Sequence, residues 1–347
     1  MTEYTVTPAD ESRERRKKIV IRLVFLAVAA GVLYVLAPSL VDFFSKTKDL
    51  SGIRWYWFAI MAVFMTGSFM AAWELTHIAV PGISRFVAAT SQLVSNATAK
   101  VVPGGPVAAG ASYFQMLSVS GVSTGQAAAA LTAVSFISNL VLFSLPVVAL
   151  LLAAVSAPIP GGLLPVGIAG ATMFVLMFTA VAALVKYDNV LMAVGGLSES
   201  VVGWFARKLK REWTFTAESL LARRNEVVSA LGARWQKALA AAVLNWGFDY
   251  MVLLVALIAI GANPRPSLVL VAFAGAAVLG MIPITPGGLG FVEIGLTGLL
   301  VASGIGGPDA ALATLTYRLF QFWLPIPAGA VAYVVFKIKF GKPAEIT

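Results

Sequence analysis

Two oppositely charged side chains, Glu293 and Arg318, lie in otherwise apolar stretches of this chain. A charge near the centre of a membrane helix costs at least about 2.5–3.5 kcal/mol, so such residues are usually functional or paired. One interpretation is that Arg318 binds an anionic headgroup, which Glu293 holds or releases. The alternative is a buried structural ion pair between the two side chains. In either case, they mark the first candidate site in the second half of the chain.

Two further polar pairs have the spacing of one helical turn. Asn245 and Asp249 share one face of an apolar segment, where the aspartate could relay a proton, meet a cation or pair with an arginine. Asn96 and Lys100 repeat this spacing earlier in the chain. Lys100 could bind a lipid phosphate, or it could pair with Glu293 or Asp249.

Proline and glycine clusters interrupt two apolar segments, and such clusters break helices. The first cluster is Pro103, Gly104 and Gly105, and the second is Pro286, Gly287, Gly288 and Gly290. The second cluster opens a helix whose free N–H groups could meet a phosphate, but it could equally be a structural hinge. Thr285 adds a hydroxyl there or caps the helix.

The composition indicates a polytopic membrane protein. The 347 residues are 59% hydrophobic and only 12% charged, with a mean hydropathy of +0.88, whereas soluble domains carry about a quarter charged residues. The absence of cysteine and the single histidine, His77, argue against a metal site. Enzyme and nucleotide motifs are absent, so we expect neither catalysis nor a cofactor. The net charge of +9 follows the positive-inside rule and does not indicate a nucleic-acid partner.

The apolar segments predict an all-α fold with about six full spans and two broken hairpins. A basic tail (1–18) precedes a single transmembrane domain (19–340), and a short tail (341–347) follows. The predicted full spans are 19–36, 55–75, 124–152, 166–185, 238–260 and 309–339, and the last is kinked at Pro325 and Pro327. The broken units are 84–118 and 267–303. A basic stretch, 187–237, is predicted to form amphipathic helices on the cytoplasmic membrane face.

The two breaks predict an inverted repeat. Pro286 minus Pro103 is 183, and Gly304 minus Gly121 is also 183. The repeat halves are about 84–152 and 267–339. Because the basic N-terminus, loop and C-terminus should all be cytoplasmic, the two breaks enter the membrane from opposite faces. The charge rule does not separate re-entrant from crossing arms, and the short arms favour re-entrant ones.

The second break carries a recognisable motif. The run from Ile282 to Glu293, together with Thr316-Tyr317-Arg318-Leu319 and Trp323, resembles the lysylphosphatidylglycerol synthase transmembrane region family, also called the YbhN or UPF0104 family. Asn96 and the first break also fit this resemblance, which covers about 20–340. Gly110 stands where the repeat would place the counterpart of Glu293.

The resemblance implies lipid translocation. Family members fused to a lipid aminoacyltransferase are associated with flipping the aminoacylated lipid, and relatives are linked to hopanoid or glycolipid handling. We expect no room for the soluble transferase in this chain. The positions that the resemblance carries into a site are Glu293 and Arg318.

The leading hypothesis is a lipid flippase or transporter of the cell membrane, whose substrate is an anionic, polyprenyl-, glyco- or aminoacyl-lipid. One alternative is a membrane-embedded enzyme acting on lipid headgroups, with Asp249 or Glu293 as the base. Another is a scaffold that recruits a lipid-modifying enzyme through 187–237. The expected partners are therefore a membrane lipid and such an enzyme.

Overall fold

The chain is helical throughout the part that the structure describes. A computed structural model describes residues 53–102, 105–156, 160–193, 196, 224–225, 232–282 and 285–341. The principal helices in these ranges are α1 Trp55–Ala79, α2 Arg85–Val101, α3 Gly105–Val119, α4 Thr124–Ser156, α5 Leu164–Lys186, α6 Trp235–Ala259, α7 Pro266–Leu279, α8 Phe291–Ala302, α9 Gly307–Arg318 and α10 Pro325–Phe340. The predicted first span, both tails and most of the loop 187–237 lie outside the described residues.

The long helices confirm the polytopic membrane fold. Within the described ranges, five apolar helical stretches are long enough to cross a membrane: α1, α4, α5, α6, and the stretch Gly307–Phe340 that joins α9 to α10. In the last of these, a π-helical turn at Leu319–Trp323 precedes Pro325. Proline lacks a backbone N–H and disturbs the helix before it, which accounts for the predicted irregularity at Pro325.

Both predicted breaks separate two short arms. The arms of the first broken unit, α2 and α3, have 17 and 15 residues, and those of the second, α7 and α8, have 14 and 12. At about 1.5 Å per residue these arms are about 18–26 Å long, less than the roughly 30 Å hydrocarbon core of a bilayer. In the second break, Gly287, Gly288 and Gly290 all have positive φ, a conformation that a right-handed helix cannot contain.

The two broken units are followed by the same turn. Gly121 and Gly304 have φ values of 90° and 95°. The closing hydrogen bonds also match: Val122 N–H donates to Leu117 O at 3.1 Å, and Ile305 N–H donates to Leu300 O at 3.2 Å. The next helices begin at Thr124 and Gly307, again 183 positions apart. The turn after each broken unit therefore has the same backbone conformation and the same closing hydrogen bond, at the spacing of 183 that the sequence predicts for the repeat.

The repeat is larger than the sequence indicated. Helices α1 and α6 both have 25 residues, and both begin at a tryptophan and end at an alanine; Trp235 minus Trp55 is 180. The long fourth elements, α4 and Gly307–Phe340, have 33 and 34 residues. With these helices the two units extend to 55–156 and 235–340, and they contain the predicted halves 84–152 and 267–339. The sequence analysis predicted α1 and α6 as full spans but did not include them in the repeat, because they lack matching glycine and proline clusters and their offset is 180 rather than 183.

The two units pack against each other most extensively along two helix pairs, α1 with α6 and α2 with α10. The second pair is close at Gly329, where an added Cβ would lie 2.4 Å from Ala97 Cβ and 2.7 Å from Leu93 O. At one end of this pair, the Lys339 ammonium lies 4.4 Å from the centroid of the Phe86 ring. Helix α7 lies in the core, where Leu268 and Phe273 are fully buried.

Candidate functional site

A polar cavity of about 380 Å³ lies where the two breaks meet. Gly287 of the second break packs on the end of α2, and an added Cβ there would lie 3.0 Å from Lys100 Cα and 2.3 Å from Phe322 Cε2. Only glycine satisfies both this approach and its φ of 58°. The polar residues lining the cavity are Ser68, Gln92, Asn96, Lys100, Asn139, Asn245, Trp246, Asp249, Thr285, Tyr317, Arg318 and Gln321.

Arg318 is held by protein acceptors on several sides. Its Nε donates to Glu293 Oε1 at 2.7 Å, its Nη1 to Gln321 Oε1 at 2.9 Å, and its Nη2 to Gly287 O at 3.2 Å. The guanidinium also lies 4.5 Å from the centroid of the Phe322 ring. Arg318 therefore ties the second break to the final helical stretch.

Glu293 pairs with Arg318, which was one of the two interpretations of the sequence. It occupies the first turn of α8, where the partial positive charge of the helix N-terminus favours a carboxylate. Its Oε1 accepts from Arg318, whereas its buried Oε2 has no hydrogen-bond partner within the described part of the chain. Glu293 is not among the residues that line the cavity, so it acts there through Arg318.

Asp249 lines the cavity. One interpretation paired it with an arginine, but no ion pair among the described residues includes Asp249. Its Oδ1 instead accepts from the Tyr317 hydroxyl at 3.1 Å, a contact between α6 and α9. Asn245, one turn earlier, donates to Ser68 Oγ at 2.9 Å and to Ser68 O at 3.0 Å. These bonds fasten α6 to α1, so Asn245 has a structural role at the cavity wall.

Lys100 is the charged contribution of the first unit to the cavity. It is 8% exposed, and its ammonium donates to Asn96 Oδ1. The predicted pairing with Glu293 or Asp249 is wrong, because none of the ion pairs between described residues includes Lys100. The helical spacing of Asn96 and Lys100 makes this local contact possible and keeps the ammonium at the end of α2.

The second break is closed by its own hydrogen bonds. Thr285 Oγ1 donates to Leu289 O at 2.8 Å, and Gly288 N–H donates to Thr285 O at 3.0 Å. Thr285 therefore does not cap α8; Gly290 occupies that position. The predicted use of the break's N–H groups for a phosphate gains no support, because the Gly288 N–H is already bonded and Gly290 lies off the cavity.

The glycines and prolines of the two breaks differ in whether they line the cavity. Gly105, Gly287 and Gly288 line the cavity. Pro286 lies in the short turn Pro286–Gly288. Pro103 and Gly104 fall outside the described residues.

Six polar lining residues were not among the site residues predicted from the sequence: Ser68, Gln92, Asn139, Trp246, Tyr317 and Gln321. Gln92 precedes Asn96 and Lys100 by one and two helical turns, so helical periodicity could have found it. Its buried Oε1 has no hydrogen-bond partner among the described residues. The contact between Tyr317 and Asp249 joins residues 68 positions apart, and no local pattern predicts it.

Comparisons with known proteins agree with this architecture. The chain matches the family described as "Lysylphosphatidylglycerol synthase TM region" over residues 19–329. It is also similar to two proteins of Methanothermobacter thermautotrophicus, each named "UPF0104 membrane protein". One is 30% identical over 89 residues, which are 26% of this chain and 27% of the relative, and the other is 28% identical over 91 residues, 26% of each. These alignments span about a quarter of the relatives' length. Because the family match covers most of the 347 residues, the chain belongs to the lysylphosphatidylglycerol synthase TM region family.

Proposed function

We propose that this protein moves an amphiphilic lipid across the cell membrane, with its N- and C-termini on the cytoplasmic side. The observation that carries the proposal is the polar cavity between two broken units, in which Lys100, Asp249 and Arg318 are surrounded by apolar helices. Charges at membrane depth are costly and mark substrate pathways in transporters. Broken helices that meet near the membrane midplane are a recurring feature of such proteins.

The composition of the cavity suits a headgroup with attached chains. Its volume of about 380 Å³ falls within the range of small-molecule sites, and its lining mixes polar with apolar residues. Met281 and Ile282, at the tip of the second broken unit, line it and are 41% and 43% exposed. We therefore place the headgroup in the cavity and the acyl chains along these apolar side chains.

The repeat supports transport between two faces. Helix α5 lies between the units, and one intervening crossing would invert the second unit relative to the first. The two hairpins would then approach the cavity from opposite faces. Movement of one unit against the other would open the same site to each side in turn.

A translocation assay in vesicles tests the proposal. Purified protein is reconstituted with fluorescently labelled phospholipids, and a membrane-impermeant reductant quenches the label in the outer leaflet. We expect quenching beyond the outer-leaflet fraction in protein-containing vesicles only, and chemically unchanged lipid at the end. A chemically altered lipid would favour an enzyme, and quenching equal to that of protein-free vesicles would overturn the proposal.

A matched pair of substitutions ties the activity to the cavity. Ala277 lines the cavity, so Ala277→Phe should fill part of it and slow translocation. Ala330 is exposed on α10 and does not line the cavity, so Ala330→Phe adds the same bulk elsewhere. Equal translocation by both variants would remove the cavity from the pathway.

A further inference from the structure

We propose that translocation is coupled to protons, and that the carboxylate of Asp249 is the group that binds and releases them. The inference rests on the proposed lipid transport and concerns what drives it. Three features of the cavity support it: a carboxylate without an ion pair, a lysine on the other unit, and a lining that suits water.

Asp249 forms no ion pair with a described residue, although it lies among apolar helices. The charged or titratable groups that line the cavity with it are Lys100 of α2 and Tyr317 and Arg318 of α9, whereas the described residues of α1, α4 and α7 that line it are uncharged. Arg318 is paired with Glu293. An unpaired carboxylate in an apolar environment is costly, and protonation removes that cost. Ionisable groups at membrane depth form the proton relays of pumps and transporters.

The hydrogen bond from Tyr317 suits both states of the Asp249 carboxyl group. The Tyr317 hydroxyl donates to Asp249 Oδ1 at 3.1 Å, and a phenolic hydroxyl can accept as well as donate. A protonated carboxyl group can therefore donate to the same hydroxyl while α6 and α9 keep their positions. The contact holds the carboxyl group at the cavity wall whether or not it carries the proton.

The cavity suits a proton better than a metal cation. Its volume of about 380 Å³ gives water room, and water carries protons to a carboxylate. Hydrogen-bond partners for such water are the lining amides of Gln92, Asn96, Asn139 and Gln321. A metal cation needs several oxygen ligands, and no cluster of three acidic, histidine or cysteine side chains among the described residues could hold one. The positive charge of Lys100 in the same cavity also repels a cation.

Lys100 links the charge of Asp249 to the relative position of the two units. Lys100 belongs to the first unit and Asp249 to the second, and their charges interact across the cavity. The two side chains attract each other while Asp249 is ionised, and protonation removes this attraction. The proton therefore binds more tightly when the units hold Asp249 away from Lys100, and its binding favours that arrangement. Because the units must move to open the cavity to each face, proton binding is coupled to translocation.

The distribution of a labelled lipid between the leaflets tests the coupling. The purified full chain is reconstituted with the fluorescent phospholipid that it translocates fastest, and a pH difference of about one unit is imposed. Valinomycin and equal potassium on both sides hold the membrane potential at zero. If one proton accompanies each lipid, this gradient shifts the final ratio between the leaflets by up to about tenfold. The ratio is an equilibrium property, so it does not depend on which way the protein is inserted, and a protonophore should abolish the shift.

Substitutions assign the proton to one side chain. Asp249→Asn should abolish the shift, because an amide does not take up the proton. Lys100→Arg should retain a shift, because a guanidinium stays charged and cannot be the group that carries the proton. Asp309→Asn makes the same change as Asp249→Asn at an exposed position that does not line the cavity, and it should retain the wild-type shift. A shift that survives Asp249→Asn would overturn the inference, and so would its loss in a Lys100→Arg variant that still translocates lipid.

Failure of this inference can be distinguished from failure of the proposed function. A pH-sensitive dye trapped in the vesicles measures proton entry directly. Translocation with a leaflet ratio that ignores the pH gradient would overturn the coupling and leave transport standing. Proton entry that requires Asp249, without translocation of any lipid, would overturn transport and retain Asp249 as the proton-binding group. Absence of both movements would overturn both proposals.

Discussion

The ion pair between Glu293 and Arg318 can be tested as a coupled pair. We consider Glu293→Gln, Arg318→Met and the double variant. Both side chains are largely buried, with exposed fractions of 20% and 4%. Each single change leaves the partner's charge buried without a counter-ion, which destabilises proteins far more than removing both charges.

The expected magnitudes follow from these contacts. Each single variant should lower the free energy of unfolding by about 3 kcal/mol, the lower end for breaking a buried pair, because Glu293 is partly exposed. The double variant should lower the free energy of unfolding by about 2 kcal/mol, mainly because Gly287 O and Gln321 Oε1 lose the hydrogen bonds that Arg318 donates. The coupling energy is then about 4 kcal/mol.

Equilibrium unfolding in detergent micelles, followed by tryptophan fluorescence, measures these values. The chain offers a matched control in the ion pair between Glu74 and Arg85, whose atoms are 3.6 Å apart and whose side chains are 44% and 78% exposed. Exposed pairs contribute about 0–1 kcal/mol, so the corresponding cycle of Glu74→Gln and Arg85→Met should show little coupling. A coupling for the buried pair no larger than for this control would refute the reasoning.

The same variants separate structure from ligand contact. Because the guanidinium is occupied by protein acceptors, we expect translocation in the double variant to recover in part relative to the single variants, as stability does. A double variant that regains stability but stays inactive would show that Arg318 contacts the headgroup directly. The positioning role inferred for the ion pair would then be wrong.

The remaining predictions concern the breaks, the packing of the units and the topology. Gly287→Ala should lower the melting temperature more than Gly290→Ala, because both have positive φ but only at Gly287 would the new Cβ meet an aromatic carbon at 2.3 Å. Gly329→Ala should also lower the melting temperature, since its Cβ would lie 2.4 Å from a methyl carbon on α2; an unchanged value would contradict the close approach. Because the chain has no native cysteine, Pro81→Cys and Asn263→Cys, at the entrances of the two broken units, can be labelled singly. An impermeant thiol reagent should reach them from opposite faces of the membrane, and labelling from one face would exclude an inverted repeat.

Features that depend on local chemistry were predictable from the sequence. Pro103-Gly104-Gly105 and Pro286-Gly287-Gly288 located both breaks, because proline and glycine act on the backbone of their own segment. The spacing of 183 between Gly121 and Gly304 indicated the repeat, and both glycines lie in matching turns. The pairing of Glu293 with Arg318 was also predictable, because buried charges in an apolar setting have few possible partners.

Contacts that depend on how helices are arranged were not predictable. The sequence left open for Asp249 a proton relay, a cation or an arginine, and the packing of α6 against α9 gives it a hydrogen bond from Tyr317. For Lys100 it left open a lipid phosphate or an acidic partner, and the ammonium is bonded to Asn96 on its own helix. Thr285 was considered as a cap for α8, and the turn instead directs its hydroxyl to Leu289 O.

The cavity's chemistry divides between the two units of the repeat. Arg318 and Glu293 belong to the second unit, as do Asp249 and its partner Tyr317, so both bonds lie within one unit. Lys100 belongs to the first unit and is bonded within it. This division shows how an architecture with repeated helices can have charges that are not repeated: the ion pair of the second unit holds its own break in place through the bond from Arg318 to Gly287 O, and the first unit has no counterpart of Glu293, because Gly110 stands at that position.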